Sequence, residues 1–281
     1  MRRFVLIAAL AALLSVDALS QETNISNSVY GGQILGGPFP SLVVFTKRGI
    51  SPQRNDYFCG GSLLSDQFVL TAAHCALTMK DNGGEDKVTA HGGVRTLHHL
   101  SGSSVQSSAI KSISVHPFYS GINMVDDIAI IELETPFSFT WALQPTTIYA
   151  EDAFSELPLG QNVWILGFGD ATYNSPIPVN FDLNYASTPI VSRDSCRIDW
   201  AKYKKPISQN QICTSAQQRG LLKGDSGGPV IYSVKSSFEN RQIGVVSYAL
   251  PGNEALPDVS TRTAFYCTWI YETTRFSFAC K

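Results

Sequence analysis

The run Gly224-Asp225-Ser226-Gly227-Gly228-Pro229 sets a serine hydroxyl between flexible residues and beside a carboxylate. Glycine lets a chain turn sharply and lets backbone N–H groups approach a reacting carbonyl that a Cβ would often obstruct. Ser226 is therefore a candidate nucleophile. An alcohol near its ordinary pKa attacks slowly at neutral pH unless a base takes its proton. Taken alone, the run reads equally well as a glycine-rich hairpin with an incidental serine, because a short motif stays a hypothesis until its partners are found.

Two partners lie upstream. His74, in Thr71-Ala72-Ala73-His74-Cys75, follows the apolar run Phe68-Val69-Leu70, where a strand should end and the chain turn. An imidazole, with a pKa near about 6.5, suits a group that accepts a proton and later returns it. Asp127 opens the alternating stretch Ile128-Ala129-Ile130-Ile131-Glu132-Leu133. The chain order His74, Asp127, Ser226 resembles that of the chymotrypsin-like serine peptidase family, and the resemblance extends over nearly all of the chain after its N-terminal leader.

The resemblance implies a division of labour. Ser226 would attack, His74 would act as base and then acid, and Asp127 would hold the imidazole tautomer. Asp127 takes this part rather than Asp126 because it directly precedes the Ile-Ala-Ile strand. Ser247, in Val246-Ser247-Tyr248 beside the substrate pocket, matches the family serine that bonds the buried acid. The N–H groups of Gly224 and Ser226 would form the oxyanion hole. The implied activity is a serine endopeptidase working through an acyl-enzyme on proteins or peptides, with no cofactor and no metal. Protein inhibitors would be further partners.

Counting back from Ser226 puts Gly220 at the floor of the pocket for the residue before the cut bond, where trypsin-like members carry aspartate. A glycine floor with Ala249 on the wall leaves room for medium to large apolar side chains. Asp258 stands at a wall position usually held by glycine, a combination that resembles crustacean collagenolytic members of broad specificity. Its carboxylate either faces the pocket and accepts basic side chains as well, or points away or is capped by solvent. Lys223 is expected at the pocket mouth or simply exposed. Two cysteines that family members carry near the pocket are absent together: Leu222 occupies one place, and none lies between Tyr248 and Pro257.

Val29-Tyr30-Gly31-Gly32 resembles the mature N-terminus of the family, whose freed amine pairs with the acid before the nucleophile, here Asp225. Ser28 stands where trypsin-activated zymogens carry arginine or lysine, so tryptic activation is not expected, and removal by another peptidase, self-cleavage and a chain that is never activated stay open. Upstream, Met1-Arg2-Arg3, an apolar run from Phe4 to Val16 and Ala18-Leu19-Ser20 read as a signal peptide over 1–20, cleaved before Gln21, with a short propeptide over 21–28. The run is shorter than the roughly 20 apolar residues that span a bilayer. Asn24-Ile25-Ser26 is an acceptor pattern for N-linked glycan in an exported protein.

At 281 residues, 44% hydrophobic and 16% charged, the chain has the composition of a globular protein, and its net charge of −2 without a long basic run excludes the footprint of a nucleic-acid binder. Nor is membrane association expected of the mature chain, which we read as a secreted monomer. Its six cysteines suit an oxidising compartment but leave their pairing open. The family resemblance implies Cys59 with Cys75 and Cys196 with Cys213, leaving Cys267 for Cys280. His91, His98, His99 and His116 lack the neighbours of a metal site and read as packing or surface residues.

Short apolar segments recur from Ser41 to Arg262 between Gly, Pro, Asn and Ser, as in 42–45, 68–70, 128–133, 163–166 and 243–246. Such spacing argues for an all-β barrel or sandwich. The resemblance makes this two six-stranded antiparallel β-barrels, about 29–147 and 148–262, with the active site in the cleft and a C-terminal helix near 264–274. Phe265, Trp269 and Ile270 would seat that helix on the second barrel. The stretches 81–86, 101–108 and 170–178 read as surface loops. Two rivals remain: a non-catalytic relative that binds partners, favoured by Ser28 alone, and an esterase, whose triad order this chain does not follow.

Overall fold

The computed structural model describes residues 29, 31–47, 57–81, 84–150, 159–169, 181–234, 239–250 and 252–281. The expected leader and propeptide, Asn24 and the loop 170–178 lie outside the described residues. Strands β2 (Leu42–Lys47), β3 (Tyr57–Leu63), β4 (Phe68–Thr71), β5 (Val88–Gly92), β6 (Gln106–Val115) and β7 (Ala129–Leu133) form a closed barrel in the order β2-β3-β4-β7-β6-β5. Strands β8 (Asn162–Gly167), β9 (Asn184–Val191), β10 (Gln211–Thr214), β11 (Pro229–Val234), β12 (Glu239–Tyr248) and β13 (Asp258–Arg262) form a second antiparallel barrel, closed where β9 pairs with β8. The architecture is all-β, as expected.

Closure leaves each strand one face for the interior, and the strands show it. β9 alternates buried and half-buried residues along its whole length, the period of two a pleated strand imposes. β6 begins at Gln106, so the expected loop 101–108 is shorter by its last three residues. The first barrel fills with Val43, Phe45, Leu63, Val69, Leu70 and Ile130, the second with Val163, Ile165, Ala186, Val230 and Val246. Between them runs an apolar seam, Leu42, Val44 and Leu97 from one side against Leu166, Phe168 and Ile231 from the other. Burying such a side chain is worth about 1.5–3 kcal/mol each, so the seam sets the relation of the barrels that the cleft needs.

Two expectations about the chain ends are corrected. The short strand β1 (Gln33–Ile34) lies in the sequence half assigned to the first barrel, yet it pairs with Asn184 and Tyr185 of β9 on the second. The C-terminal helix α3 (Cys267–Thr273), entered through a 3-10 turn at Thr263–Tyr266, packs on the first barrel rather than the second. Ile270 joins that barrel's core with Tyr266 and Phe278, and Trp269 packs at its margin, whereas Phe265 is exposed. Periodicity shows that a helix face is buried, not which surface receives it.

The disulfides are Cys59–Cys75, Cys196–Cys213 and Cys267–Cys280. The first ties β3 to helix α1 (Ala73–Asp81); the second joins helix α2 (Arg193–Ala201), whose N-cap Ser192 accepts from Ser195 N, to β10. The third clips the segment after α3. Crosslinks of this loop length typically contribute about 2–4 kcal/mol.

Candidate active site

His74 lies in the first turn of α1, directly after β4, and Asp127 ends the loop that leads into β7. Because β4 and β7 pair, Thr71 opposite Ala129, the two residues arrive side by side. Asp127 Oδ2 lies 2.8 Å from His74 Nδ1, and Oδ1 accepts the His74 backbone N–H at 2.9 Å. That N–H is one of those a helix cannot satisfy from within. The carboxylate thus orients the ring and caps the helix that carries it. Asp127 is fully buried, while a quarter of the His74 side chain is exposed to the cleft.

A buried charge needs partners, and the second barrel supplies them. Ser247 Oγ on β12 donates to Asp127 Oδ2 at 2.5 Å, and Thr261 Oγ1 on β13 donates to the Asp127 carbonyl at 2.9 Å. One residue back, Asp126 Oδ1 accepts from Asn210 Nδ2 at 2.5 Å and from the Tyr266 hydroxyl at 2.7 Å, with Asp126 itself at φ +55°. Gln211 Nε2 donates to the Met124 carbonyl. Burial, reinforced by the Asp126 carboxylate, pushes the Tyr266 phenol well up, keeping it a donor. Asp126 therefore fastens the loop carrying Asp127 to the second barrel and to the C-terminal turn. Position in the sequence alone gives Asp126 no such role, since only Asp127 directly precedes the Ile-Ala-Ile strand.

The nucleophile loop is held from both barrels. Gly60 N on β3 donates to Ser226 O at 2.8 Å, and Gly227 N donates to Val246 O at 2.9 Å. At Gly227, φ is +77°, and a Cβ would fall 2.3 Å from Thr71 Oγ1 and 2.4 Å from Gly60 O, so only glycine fits. Asp225 is fully buried; its Oδ1 accepts Gly169 N at 3.0 Å and its Oδ2 accepts Leu222 N at 2.9 Å. Gly167 and Gly169 make room for this carboxylate, since a Cβ on either would lie within 2.7 Å of it. The signal for them was a Gly-x-Gly closing a strand, and sequence reading passed over it.

Among the described residues, neither Gly224 N nor Ser226 N donates to a protein acceptor, so both N–H groups remain available for an oxyanion. Ser226 is half-buried, and no hydrogen bond joins its hydroxyl to His74. His74 Nε2 lies 3.6 Å from Cys75 Sγ instead. Catalytic hydrogen bonds of this kind are often long or misaligned without substrate and tighten when it binds. Cys59, His74 and Cys75 also cluster as ligand atoms would, but the two sulfurs are joined to each other.

Gly220 and Asp258 meet in one small cavity, with Ala216, Leu250 and Asn253. Asp258 does not point away: its Oδ2 accepts Leu221 N at 2.7 Å and lies 2.9 Å from where a Gly220 Cβ would be. Burial, with the Asp225 charge adding to it and the Leu221 N–H opposing, pushes the Asp258 carboxyl up to about 7. Glu254 Oε2 accepts Gln218 N at 3.2 Å. Carboxylate-to-backbone bonds thus join the two pocket segments where family members carry the absent cysteine pair. Ala249 is half-buried against the second core, and Lys223 is exposed. A larger cavity of about 360 Å³, between Leu159, Ser192, Arg193 and Arg262, contains none of the expected site residues.

Val29 is fully buried at φ +68° in the core that also holds Leu221. Its carbonyl accepts Gly32 N at 2.8 Å, just before β1 crosses to β9. Of the remaining histidines, His99 is exposed and the other three make packing contacts. His91 lies between Thr46 Oγ1 at 2.9 Å and Ser107 Oγ at 2.7 Å, and burial lowers it to about 4. His98 stacks on Phe181, while His116 sits edge-on to Tyr266 and Trp269.

Comparison with known proteins agrees with this architecture. The family model described as Trypsin matches residues 33–270. The chain is 30% identical over 226 residues to chymotrypsin-2 of Vespa crabro, covering 79% of this chain and 91% of that one. It is 29% identical over 251 residues to phenoloxidase-activating factor 3 of Holotrichia diomphalia, covering 85% of this chain and 70% of that one. The chain belongs to the trypsin family of serine peptidases. Membership in a peptidase family implies protein substrates. No helix among the described residues is long and apolar enough to cross a membrane.

Proposed function

We propose that the protein is a secreted serine endopeptidase that cleaves peptide bonds through an acyl-enzyme on Ser226. The observation that carries the reading is the convergence of a buried, fully bonded Asp127 on His74 with two unclaimed N–H groups at Gly224 and Ser226. Ser226 Oγ attacks the scissile carbonyl while His74 Nε2 takes its proton. Asp127 stabilises the imidazolium, and the two N–H groups meet the charge that develops on the carbonyl oxygen. His74 then protonates the leaving amine, and water repeats the sequence to release the acid. The residue before the cut enters beside Gly220, Ala249 and Asp258, so apolar side chains are favoured and basic ones accepted when Asp258 is ionised.

The chain is exported by its N-terminal leader, carries a glycan on Asn24, and acts as a monomer open to protein inhibitors. It becomes active when cleavage after Ser28 frees an amine at Val29 to pair with Asp225. A second reading, a non-catalytic binding protein, is favoured by Ser28, which offers no site to a tryptic activator. The test is amide hydrolysis on peptides varied at the residue before the cut, comparing chains that begin at Val29 and at Gln21 with a Ser226→Ala control. Cleavage by the Val29 form, lost in the control, is the expected result. Silence from all three with folding intact would sink the peptidase reading and make the binding protein the better account.

A further inference from the structure

Tyr57 opens β3 on the first barrel, and its hydroxyl reaches across the cleft to donate to the Gly224 carbonyl at 2.5 Å. Its ring stands edge-on to Phe168 in the seam, with centroids 5.8 Å apart. Gly224 makes no other hydrogen bond among the described residues, while its neighbours on either side of Lys223–Gly224 are tied down. Leu222 N and Gly169 N are taken by Asp225, Asp225 N by Leu222 O at 3.1 Å, and Ser226 O by Gly60 N. Lys223 beside it is exposed.

Gly224 is therefore a joint between fixed neighbours. Its φ of +106° is open to glycine, and glycine has a broad choice of ψ. Because the chain beyond it is pinned through Asp225 and Ser226, a change there would be taken up by the preceding Lys223–Gly224 peptide and would swing the Gly224 N–H it carries away from the reacting carbonyl. The Tyr57 hydroxyl holds the oxygen of the peptide that follows. The ring also limits travel, since a Cβ on Gly224 would lie 3.3 Å from Tyr57 Cε1 and 3.0 Å from Gly169 Cα. Electrostatic stabilisation of an oxyanion depends on donors already aimed before charge appears.

We infer that Tyr57 is a positioning residue for the oxyanion hole: by anchoring the Gly224 carbonyl from the opposite barrel, it keeps the Gly224 N–H directed at the developing charge. The inference rests on the peptidase reading above. It makes the first barrel, which otherwise supplies His74 and Asp127, a contributor to transition-state binding as well.

The test is Tyr57→Phe in the chain beginning at Val29, which keeps the ring and removes the donor. Losing one oxyanion donor outright costs on the order of 10²–10³ in rate, and loosening one should cost on the order of tenfold. The expected result is that fall in kcat with KM held, and an equal loss of affinity for a peptidyl trifluoromethyl ketone, which forms a tetrahedral adduct on the serine. Affinity for a non-covalent product peptide should not change. Phe168→Leu serves as control: it loosens the same packing but keeps the hydroxyl, so it should lower the melting temperature while kcat falls less. Unchanged kcat and ketone affinity in Tyr57→Phe would overturn the assignment, as would a matching loss in Phe168→Leu. If the unaltered chain neither hydrolyses peptides nor reacts with a phosphonyl fluoride at Ser226, the peptidase reading falls, and this inference with it.

Discussion

On the proposed reading, Asp258 should make substrate choice depend on pH. Its carboxyl lines the pocket beside Gly220 and is pushed up to about 7. At pH 6 about a tenth of the molecules carry the charge and at pH 8 about nine tenths, so the pocket able to hold a cation rises roughly ninefold over that interval. The assay is kcat/KM for a pair of peptide amides differing only in arginine or phenylalanine before the cut, read as a ratio from pH 5.5 to 8.5. The protonation state of the catalytic groups enters both rates and cancels. The arginine-to-phenylalanine ratio should climb by on the order of tenfold between pH 6 and 8, with a midpoint near 7, and Asp258→Asn, whose amide oxygen can still accept Leu221 N, should flatten it. The same shift acts on folding. Between the unfolded pKa of about 3.9 and the folded value, the native chain holds a proton the unfolded chain has lost, so stability present below about pH 4 declines as pH rises toward 7. Three units amount to at most about 4 kcal/mol. Asp258→Asn should therefore melt higher than the unaltered chain at pH 8 and show no such gain at pH 4. A ratio independent of pH, or one that slopes equally in Asp258→Asn, would refute the assignment of the carboxyl to the pocket.

Other perturbations probe the supports of the site. Asp126→Ala removes the acceptor for Asn210 and Tyr266 and puts alanine at φ +55°. It should cost about 2–4 kcal/mol in thermal melts and lower kcat more than it raises KM. Glu132, buried in β7, is pushed up by burial but held at about 2 overall by Arg275, Lys111 and Ser112. Removing Lys111 and Arg275 together would strand its charge and should cost about 3–5 kcal/mol, whereas Glu132→Leu, which leaves both half-exposed cations to water, should cost less in the same denaturant titration. Burial holds His91 neutral down to about pH 4, while the unfolded chain takes up a proton below about 6.5, so stability falls as pH drops through that window. His91→Gln should flatten that limb of the melting-temperature profile.

The reactive residues were legible because their chemistry restricts their types and their order along the chain. Their supports were less so. Glu132 breaks an alternating apolar run, which reads as a solvent-facing position, yet Arg275 reaches it from more than a hundred residues away. Asp126 and Asp127 are the same residue type in adjacent places, and only the three-dimensional setting separates the carboxylate that orients His74 from the one that fastens the loop. Tyr57 opens a glycine-bearing strand and looks like an ordinary β residue. Its partner, the Gly224 carbonyl, is a backbone atom, which no side-chain pattern reveals.

These supports cross the cleft in both directions, and that bears on how the site would fail. Groups on the first barrel are held by donors from the second: Ser247 and Thr261 on Asp127, Asn210 on Asp126, Gln211 on Met124. The nucleophile loop of the second barrel is held in turn by Gly60 and Tyr57 of the first. A small slide of one barrel against the other would therefore misalign base, acid and oxyanion donors together, while the interior of each barrel, with its ladders closed, stayed intact. Shape changes in the apolar seam, at Leu166 or Ile231, should accordingly lower the rate before they unfold either barrel, because hydrogen bonds weaken steeply with misdirection and apolar contacts do not.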